Sequence, residues 1–485
     1  MYMDHRETPL LTALQNAAEE KHAAFYTPGH KKGGGINPNL AELLGKQVFR
    51  ADLPELPGLD NLFAPTEAIA QAQDLAADCF GASQTWFLVN GSTCGIMAAI
   101  LATCGEGDKI ILPRNIHQSA IAGLILSGAI PIFINPEYDP NQDIVLSITP
   151  EALEKTLQAH PESKAVMVLH PSYQGICGDL SAIADLTHKY NIPLLVDEAH
   201  GAHFAFHPDL PPSALSVGAD LTIQSTHKVL SAMTQASMMH LQGERINPQR
   251  ISKALQLVES TSPSYILLAS LDAARQQMAL QGRELMDHAI ALAQLARKRL
   301  AIIPGIEILE YANQPGFSYL DPTRLTINVS QLGITGYEAD EILCEQGVIC
   351  ELPLLKHLTF IISLGNRAED IEQLGKAIAQ LSNSHGTPTS SAHSMTTLSW
   401  LGNLPELQLS PRKAHFAATE TIALGQAGDH ISGELICPYP PGIPILMPGE
   451  IITQDAIAYL QEVLSCGGVI TGCSNDSLET VQVIV

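Results

Sequence analysis

The chain has 485 residues, room for about three domains and for a large buried core. Hydrophobic residues make up 46% of it, and the formal net charge is −24 with only 26 Lys+Arg. That composition marks a globular protein and excludes the basic footprint of a nucleic-acid binder. Nine cysteines lie scattered without a CxxC pair or His-rich spacing. They predict no metal site and no disulfide framework, and they fit a reduced cytoplasmic interior. The start, Met1-Tyr2-Met3-Asp4-His5-Arg6-Glu7, lacks the charged lead and apolar core of a signal peptide. No apolar run approaches the roughly 18 residues of a membrane helix. The expectation is a cytoplasmic protein with neither membrane nor nucleic acid among its partners.

A helical pattern from Leu10 to His22 comes first, then a Gly/Pro-rich stretch, Tyr26-Thr27-Pro28-Gly29-His30-Lys31-Lys32-Gly33-Gly34-Gly35. From about 65 to 285, short apolar runs alternate with helical patterns. Trp86–Val89, Lys109–Leu112, Ile130–Ile134, Ala165–Leu169 and Pro193–Val196 read as strands, and Ala219–Ile223 as the end of another. Pro150–His160 and Leu180–Tyr190 read as helices between them. This alternation predicts crossover units and an α/β fold with a mostly parallel sheet covered on both faces. Such sheets hold ligands at the carboxyl ends of their strands. Helical patterns then fill 264–302, followed by a smaller α+β segment. A Ser/Thr/His-rich linker and a second Pro/Gly-rich element, Cys437-Pro438-Tyr439-Pro440-Pro441-Gly442-Ile443-Pro444, lie beyond. The expected organisation is an N-terminal segment (1–60), a large domain (61–290), a small α+β domain (291–384), a linker (385–397) and a C-terminal domain (398–485).

Three strand ends carry complementary chemistry. Ser225-Thr226-His227-Lys228 follows the run Ala219–Ile223. Burial lowers a lysine's pKa by stripping hydration from the ammonium, and a neutral amine attacks an aldehyde. Lys228 is therefore placed to hold pyridoxal phosphate (PLP) as a Schiff base, with Ser225 and His227 toward the phosphate; the competing reading is a solvated strand-end lysine. Asp197 closes the strand ending at Val196. It either caps a turn or pairs with a pyridinium nitrogen, keeping the ring a strong electron sink. Asn90-Gly91-Ser92-Thr93-Cys94-Gly95 opens an apolar helix whose unpaired N–H groups suit a phosphate; alone it is also an ordinary cap. His117, after a fourth strand, is either structural or stacked on a cofactor ring. Glu450, beyond the Pro-rich element, is a candidate carboxylate for a basic side chain or an exposed loop acid.

These pieces resemble the PLP-dependent, fold-type-I family of ornithine/lysine/arginine decarboxylases. The matching motifs are Thr27-Pro28-Gly29-His30-Lys31, Leu56-Pro57-Gly58-Leu59-Asp60, Phe87-Leu88-Val89-Asn90-Gly91-Ser92-Thr93, Arg114-Asn115-Ile116-His117 and Asp197-Glu198-Ala199-His200-Gly201-Ala202-His203. Ser225-Thr226-His227-Lys228, Ser260-Thr261-Ser262-Pro263-Ser264-Tyr265 and Tyr439-Pro440-Pro441-Gly442-Ile443-Pro444 complete the set. The resemblance implies a fold-type-I large domain with smaller α+β C-terminal domains and PLP as cofactor. It implies Lys228 as the Schiff-base lysine, Asp197 on the pyridine nitrogen and His117 on the ring. Ser92, Thr93, Ser225 and His227 would face the phosphate, Ala199 would lie beneath the ring, and His200 would meet the ring hydroxyl. The Ser262 segment would border the substrate.

The activity so implied is decarboxylation of arginine, lysine or ornithine to an amine and CO₂, with His227 or Lys228 returning a proton to Cα. The chain departs from the family at Gln118, where a lysine often follows the histidine. It resembles the short members that lack an N-terminal wing domain, which tilts the substrate toward arginine and the assembly toward a homodimer, or a multiple of dimers, with the active site at the interface. Other fold-type-I enzymes (an aminotransferase, an aldolase, a β-eliminating lyase) and a non-catalytic binding protein of the same fold are the alternatives. Regulatory members of other PLP-related groups usually lose the lysine or its aspartate, and both are present here.

Overall fold

The computed structural model describes residues 3–385, 405–439 and 442–485. Apart from His385, the linker expected at 385–397 lies outside the described residues, as do the paired prolines 440 and 441. The elements that matter for the site are β1 (Gln84–Leu88), α1 (Gly91–Thr103), β2 (Lys109–Pro113), α2 (Gln118–Ser127), β3 (Ile130–Ile134) and β4 (Ala165–Leu169). After them come β5 (Leu194–Asp197), β6 (Leu221–Gln224), α3 (Thr226–Val229), β7 (Ser237–Leu241) and the 36-residue α4 (Tyr265–Leu300). The helices expected near 150–160 and 180–190 are Pro150–Ala159 and Leu180–Lys189. Thr149 and Asp179 start them by accepting hydrogen bonds from the N–H groups of Ala152 and Ala182.

The chain divides into two compact units, the first made of residues 1–102, 195–208 and 212–286, the second of 103–194, 209–211 and 287–485. In the first unit the strands pair in the order β1-β7-β6-β5. β5 and β6 run parallel, whereas β7 is antiparallel to both β6 and β1. Helix α1 follows β1 through a tight turn in which Gly91 has φ +75°. The helix lies close on the strands because residue 95 is glycine: a Cβ there would sit 2.7 Å from Leu88 Cδ1 and 2.9 Å from Ile223 Cγ2.

In the second unit β2 pairs in parallel with both β3 and β4. Their near-continuous apolar sequences are what a strand covered on both faces requires. A four-stranded antiparallel sheet follows, its strands β8 (Glu307–Ile308), β9 (Arg324–Asn328), β10 (Leu352–Pro353) and β11 (His357–Ile361) in the order β8-β9-β11-β10. The helices Gly336–Glu345 and Ala368–His385 close a core on it through Leu343, Ile371, Leu374 and Ile378. A separate cluster around Leu446, Ile452, Leu460 and Val483 holds the C-terminal segment together. No helix among the described residues is long and apolar enough to cross a membrane.

Candidate active site

The first unit brings the expected lysine, aspartate and hydroxyls to the ends of its strands. β6 ends at Gln224, Ser225 is the N-cap of the single turn α3, and Lys228 lies on that turn. Lys228 is half-buried, and its Nζ lies 2.9 Å from His200 Nε2. An ammonium there donates to the imidazole lone pair, and the imidazole can take the proton that the amine must lose before it attacks. Asp197, at the end of the parallel neighbour β5, is 3% exposed. Burial raises its pKa, and the Lys228 charge and the Ala199 N–H, which donates to Oδ1 at 3.2 Å, pull the other way. One backbone N–H leaves an ionised carboxylate with lone pairs for a further donor.

The phosphate side is built on α1. Ser225 Oγ donates to Ser92 Oγ at 2.8 Å, which joins the hydroxyl after β6 to the first turn of the helix after β1. Thr93 is exposed on that same turn. A helix start with free N–H groups and two convergent hydroxyls is suited to an anion. His227 is neutral, because burial first and the Lys228 charge second pull its pKa down to about 4. Ala199 and His200 are buried beside Asp197. Together these residues offer an amine for an aldehyde, a carboxylate for a ring nitrogen, and hydroxyls and N–H groups for a phosphate. Ser262 is exposed, its N–H donating to Ser260 Oγ at 3.1 Å, and the Ser260 N–H donates to Asn90 Oδ1 at 3.4 Å.

Two expected site residues, His117 and Glu450, belong to the second unit. His117 is the N-cap of α2, its Nδ1 accepting from the Ser119 N–H at 3.2 Å. Gly442 of the Pro/Gly turn presses on it: φ there is +82°, and a Cβ would lie 3.2 Å from His117 Nε2. Gln118, which stands where the family often has lysine, donates its N–H to the Gly442 carbonyl at 3.1 Å.

Glu450 is neither an exposed loop acid nor an open end for a substrate. It is 1% exposed, and Arg114, itself fully buried, grips both its oxygens with Nε at 3.1 Å and Nη2 at 2.9 Å. The Met447 N–H donates to Oε2 at 2.9 Å as well. Arg114 also donates to the carbonyls of Pro444 and Ile445, so the pair clamps the turn that backs His117. Losing one partner of a buried pair strands the other's charge, so Glu450→Ala is expected to destabilise the protein by roughly 3–5 kcal/mol. Urea denaturation reads this directly, and an unshifted midpoint would show that the clamp carries no stability.

Sequence reasoning missed this pairing and the partners of Glu198. The spacing of Arg114 and Glu450 gives no signal. For Glu198 the signal was present, since a second acid directly beside Asp197 in a buried strand end requires partners.

The comparisons with known proteins follow the geometry. A solved structure of the Francisella novicida lysine decarboxylase LdcF superposes with a TM-score of 0.86 at 23% identity, over 99% of this chain and 81% of that one. The pyridoxamine-pyruvate aminotransferase of Mesorhizobium loti reaches 0.52 at 18% identity, over 66% and 85%. Fold and site thus define the class: an α/β protein with the architecture of fold-type-I PLP enzymes. Residues 8–370 match the family described as Orn/Lys/Arg decarboxylase, major domain, and residues 394–476 its C-terminal domain. An arginine decarboxylase of Bacillus subtilis (strain 168) is 40% identical over 488 residues, 99% of each chain. The protein belongs to the Orn/Lys/Arg decarboxylase family, and is a carboxy-lyase.

Proposed function

We propose that the protein decarboxylates a basic L-amino acid with PLP as cofactor, that arginine is the substrate, and that Lys228, Asp197, Ser92, Thr93, Ser225, His200 and His227 form the cofactor site. One observation carries the reading: the Lys228 amine and the buried Asp197 carboxylate end the adjacent parallel strands of one unit, beside a hydroxyl-lined helix start. The length-spanning similarity to the arginine decarboxylase of B. subtilis supports arginine over lysine and ornithine.

When bound, PLP supplies an aldehyde that condenses with amines and a ring that draws off the electron pair left by the departing carboxylate. The chain's residues do the rest. Asp197 holds a proton on the ring nitrogen by offering it a buried negative charge. The Ser92 and Ser225 hydroxyls, with the first N–H groups of α1, fix the phosphate and so the plane of the ring. Lys228 passes its proton to His200 Nε2 to become the nucleophilic amine. After CO₂ leaves, Cα needs a proton from an acid. His227 is neutral at pH 7, so of the two candidates Lys228, recharged by the proton returned from His200 Nε2, is the donor.

A dimer-based assembly is part of the same reading, supported by the apolar side chains of Phe25, Leu40, Leu43 and Leu44, which are exposed in the first unit. A cytoplasmic location belongs to the same reading and fits nine cysteines scattered without a CxxC pair.

Purified protein with PLP should release CO₂ and amine from arginine with kcat/KM at least roughly tenfold above lysine and ornithine, the scale on which pockets separate side chains of different length. Preference for lysine or ornithine would overturn the choice of substrate. No CO₂ from any of the three would overturn the activity.

A further inference from the structure

Beneath the site, four buried side chains form a hydrogen-bonded line across all four strands of the first unit. Glu198 follows Asp197 at the end of β5, Gln224 ends β6, His240 lies in β7 and Thr85 in β1. Each is no more than 1% exposed. Gln224 Nε2 donates to Glu198 Oε2 at 2.7 Å, His240 Nε2 lies 3.1 Å from Gln224 Oε1, and Thr85 Oγ1 lies 2.8 Å from His240 Nδ1. The Ala214 N–H donates to Glu198 Oε1 at 2.7 Å. Phe80 stacks on the His240 ring at 4.7 Å.

We propose that Glu198 is a positioning residue that works as the neutral acid, tying the ends of β5 and β6 through an uncharged ladder so that Asp197 carries the negative charge under the cofactor ring. This rests on the reading of Asp197 as partner of the ring nitrogen.

The hydrogen-bond arithmetic favours the neutral form. With Glu198 ionised, donation runs Thr85 to His240 to Gln224 to Glu198. With Glu198 protonated, the Gln224 amide turns over and every bond reverses: the Glu198 O–H donates to the Gln224 oxygen, the amide N–H to His240 Nε2, and His240 Nδ1–H to the Thr85 oxygen. Both arrangements satisfy all four groups, since imidazole, amide and hydroxyl each donate and accept. Protonation therefore costs no hydrogen bond, whereas ionisation places a second desolvated negative charge one residue from Asp197.

The titratable groups around Glu198 offer no compensation. Asp197, His200 and His203 lie on its own segment, His240 faces it across Gln224, and His227 and Lys228 lie on α3 after β6. Burial holds His240 near 3, and His227 is near 4, so neither brings a positive charge. The Lys228 charge acts on Asp197. Burial raises Glu198 to about 8, the direction the geometry requires.

Glu198→Gln copies the protonated acid, donating to Gln224 and accepting from Ala214, whereas Glu198→Ala cuts the ladder. The alanine variant is expected to lose roughly tenfold in kcat and to release PLP faster. The glutamine variant should restore both to within about threefold of wild type, as a mimic that keeps the hydrogen bonds should. Infrared difference spectra of cofactor-free protein at pH 7, wild type minus Glu198→Gln, should show a protonated carboxyl C=O stretch that disappears as pH rises through about 8. Because the folded pKa is raised, Glu198 contributes stability that is full below the ordinary carboxylate range and is lost as pH rises through about 8. Wild-type melting temperature should thus fall more between pH 7 and 9 than that of the glutamine variant. A carboxylate band at pH 7 in place of the acid band, or a folded glutamine variant as impaired as the alanine one, would overturn the proposal. The infrared result stands apart from the decarboxylase reading, since it needs neither cofactor nor substrate.

Discussion

Lys228→Ala is expected to abolish turnover and the yellow colour of bound cofactor together, while the far-ultraviolet spectrum and melting profile of the cofactor-free protein should stay those of wild type. Two losses add in this variant. The amine that anchors the aldehyde is gone, and so is the group assigned to return a proton to Cα. Proton transfer by a positioned side chain is by itself worth roughly 10²–10⁴ in rate, so kcat is expected to fall by on the order of a thousandfold or more. The fold has little stake in the side chain, which is half-buried at the surface of a single helical turn. That turn is held by backbone bonds, Lys228 N–H to Ser225 O at 3.0 Å and His227 N–H to Ala236 O at 3.1 Å. Added ethylamine separates the two losses: a small free amine can replace the proton donor but not the tether. Colour and turnover that both survive the substitution would remove Lys228 from the site altogether.

How far these residues could be read in advance depends on what kind of contact places them. Ile130–Ile134 and Ala165–Leu169 are strands with the bounds their sequence suggests, because a strand covered on both faces is an unbroken apolar run. Lys228, Asp197 and Ser92 could be located because each follows such a run directly, and chain adjacency fixes a strand end without any knowledge of its neighbours. Ser237–Leu241 could not be seen: its histidine and serine break the apolar pattern, and only the partners of His240 across β6 and β1 make a histidine tolerable there. Glu450 misleads for the same reason on a larger scale. Its partner Arg114 is 336 positions away, and a lone glutamate in a Gly/Pro-rich segment looks like a surface residue until that guanidinium is beside it. The domain bounds expected at 60, 290 and 384 were drawn from composition shifts along the chain. The compact units instead exchange segments, since residues 195–208 join the first and 209–211 the second, and no local shift in composition marks those crossings.

Asp197→Asn should separate catalysis from folding more cleanly than any other substitution at the strand ends. The amide keeps an oxygen for the Ala199 N–H that Oδ1 now accepts at 3.2 Å, and it keeps the shape of a side chain that is 3% exposed. What it loses is the charge. Removing one preorganised electrostatic partner costs roughly 10²–10³ in kcat, and here the loss falls on the step that places electrons in the ring, so KM should move far less than kcat. Stability should respond in the opposite sense. Burial raises the Asp197 pKa, so the folded state holds the proton to a higher pH than the unfolded chain does. The stability this group contributes is therefore present below the ordinary carboxylate range and lost as pH rises through the raised folded value. Above the ordinary carboxylate range the acid in the cofactor-free protein thus loses stability that asparagine keeps, and thermal melting at neutral pH should show the variant at least as stable as wild type. A protein that keeps a buried acid at a cost to its own fold does so because something bound beside it needs the carboxylate. If Asp197→Asn instead lowered stability and left kcat unchanged, the carboxylate would be a structural anchor for Ala199 and Lys228, and the ring nitrogen would need another partner.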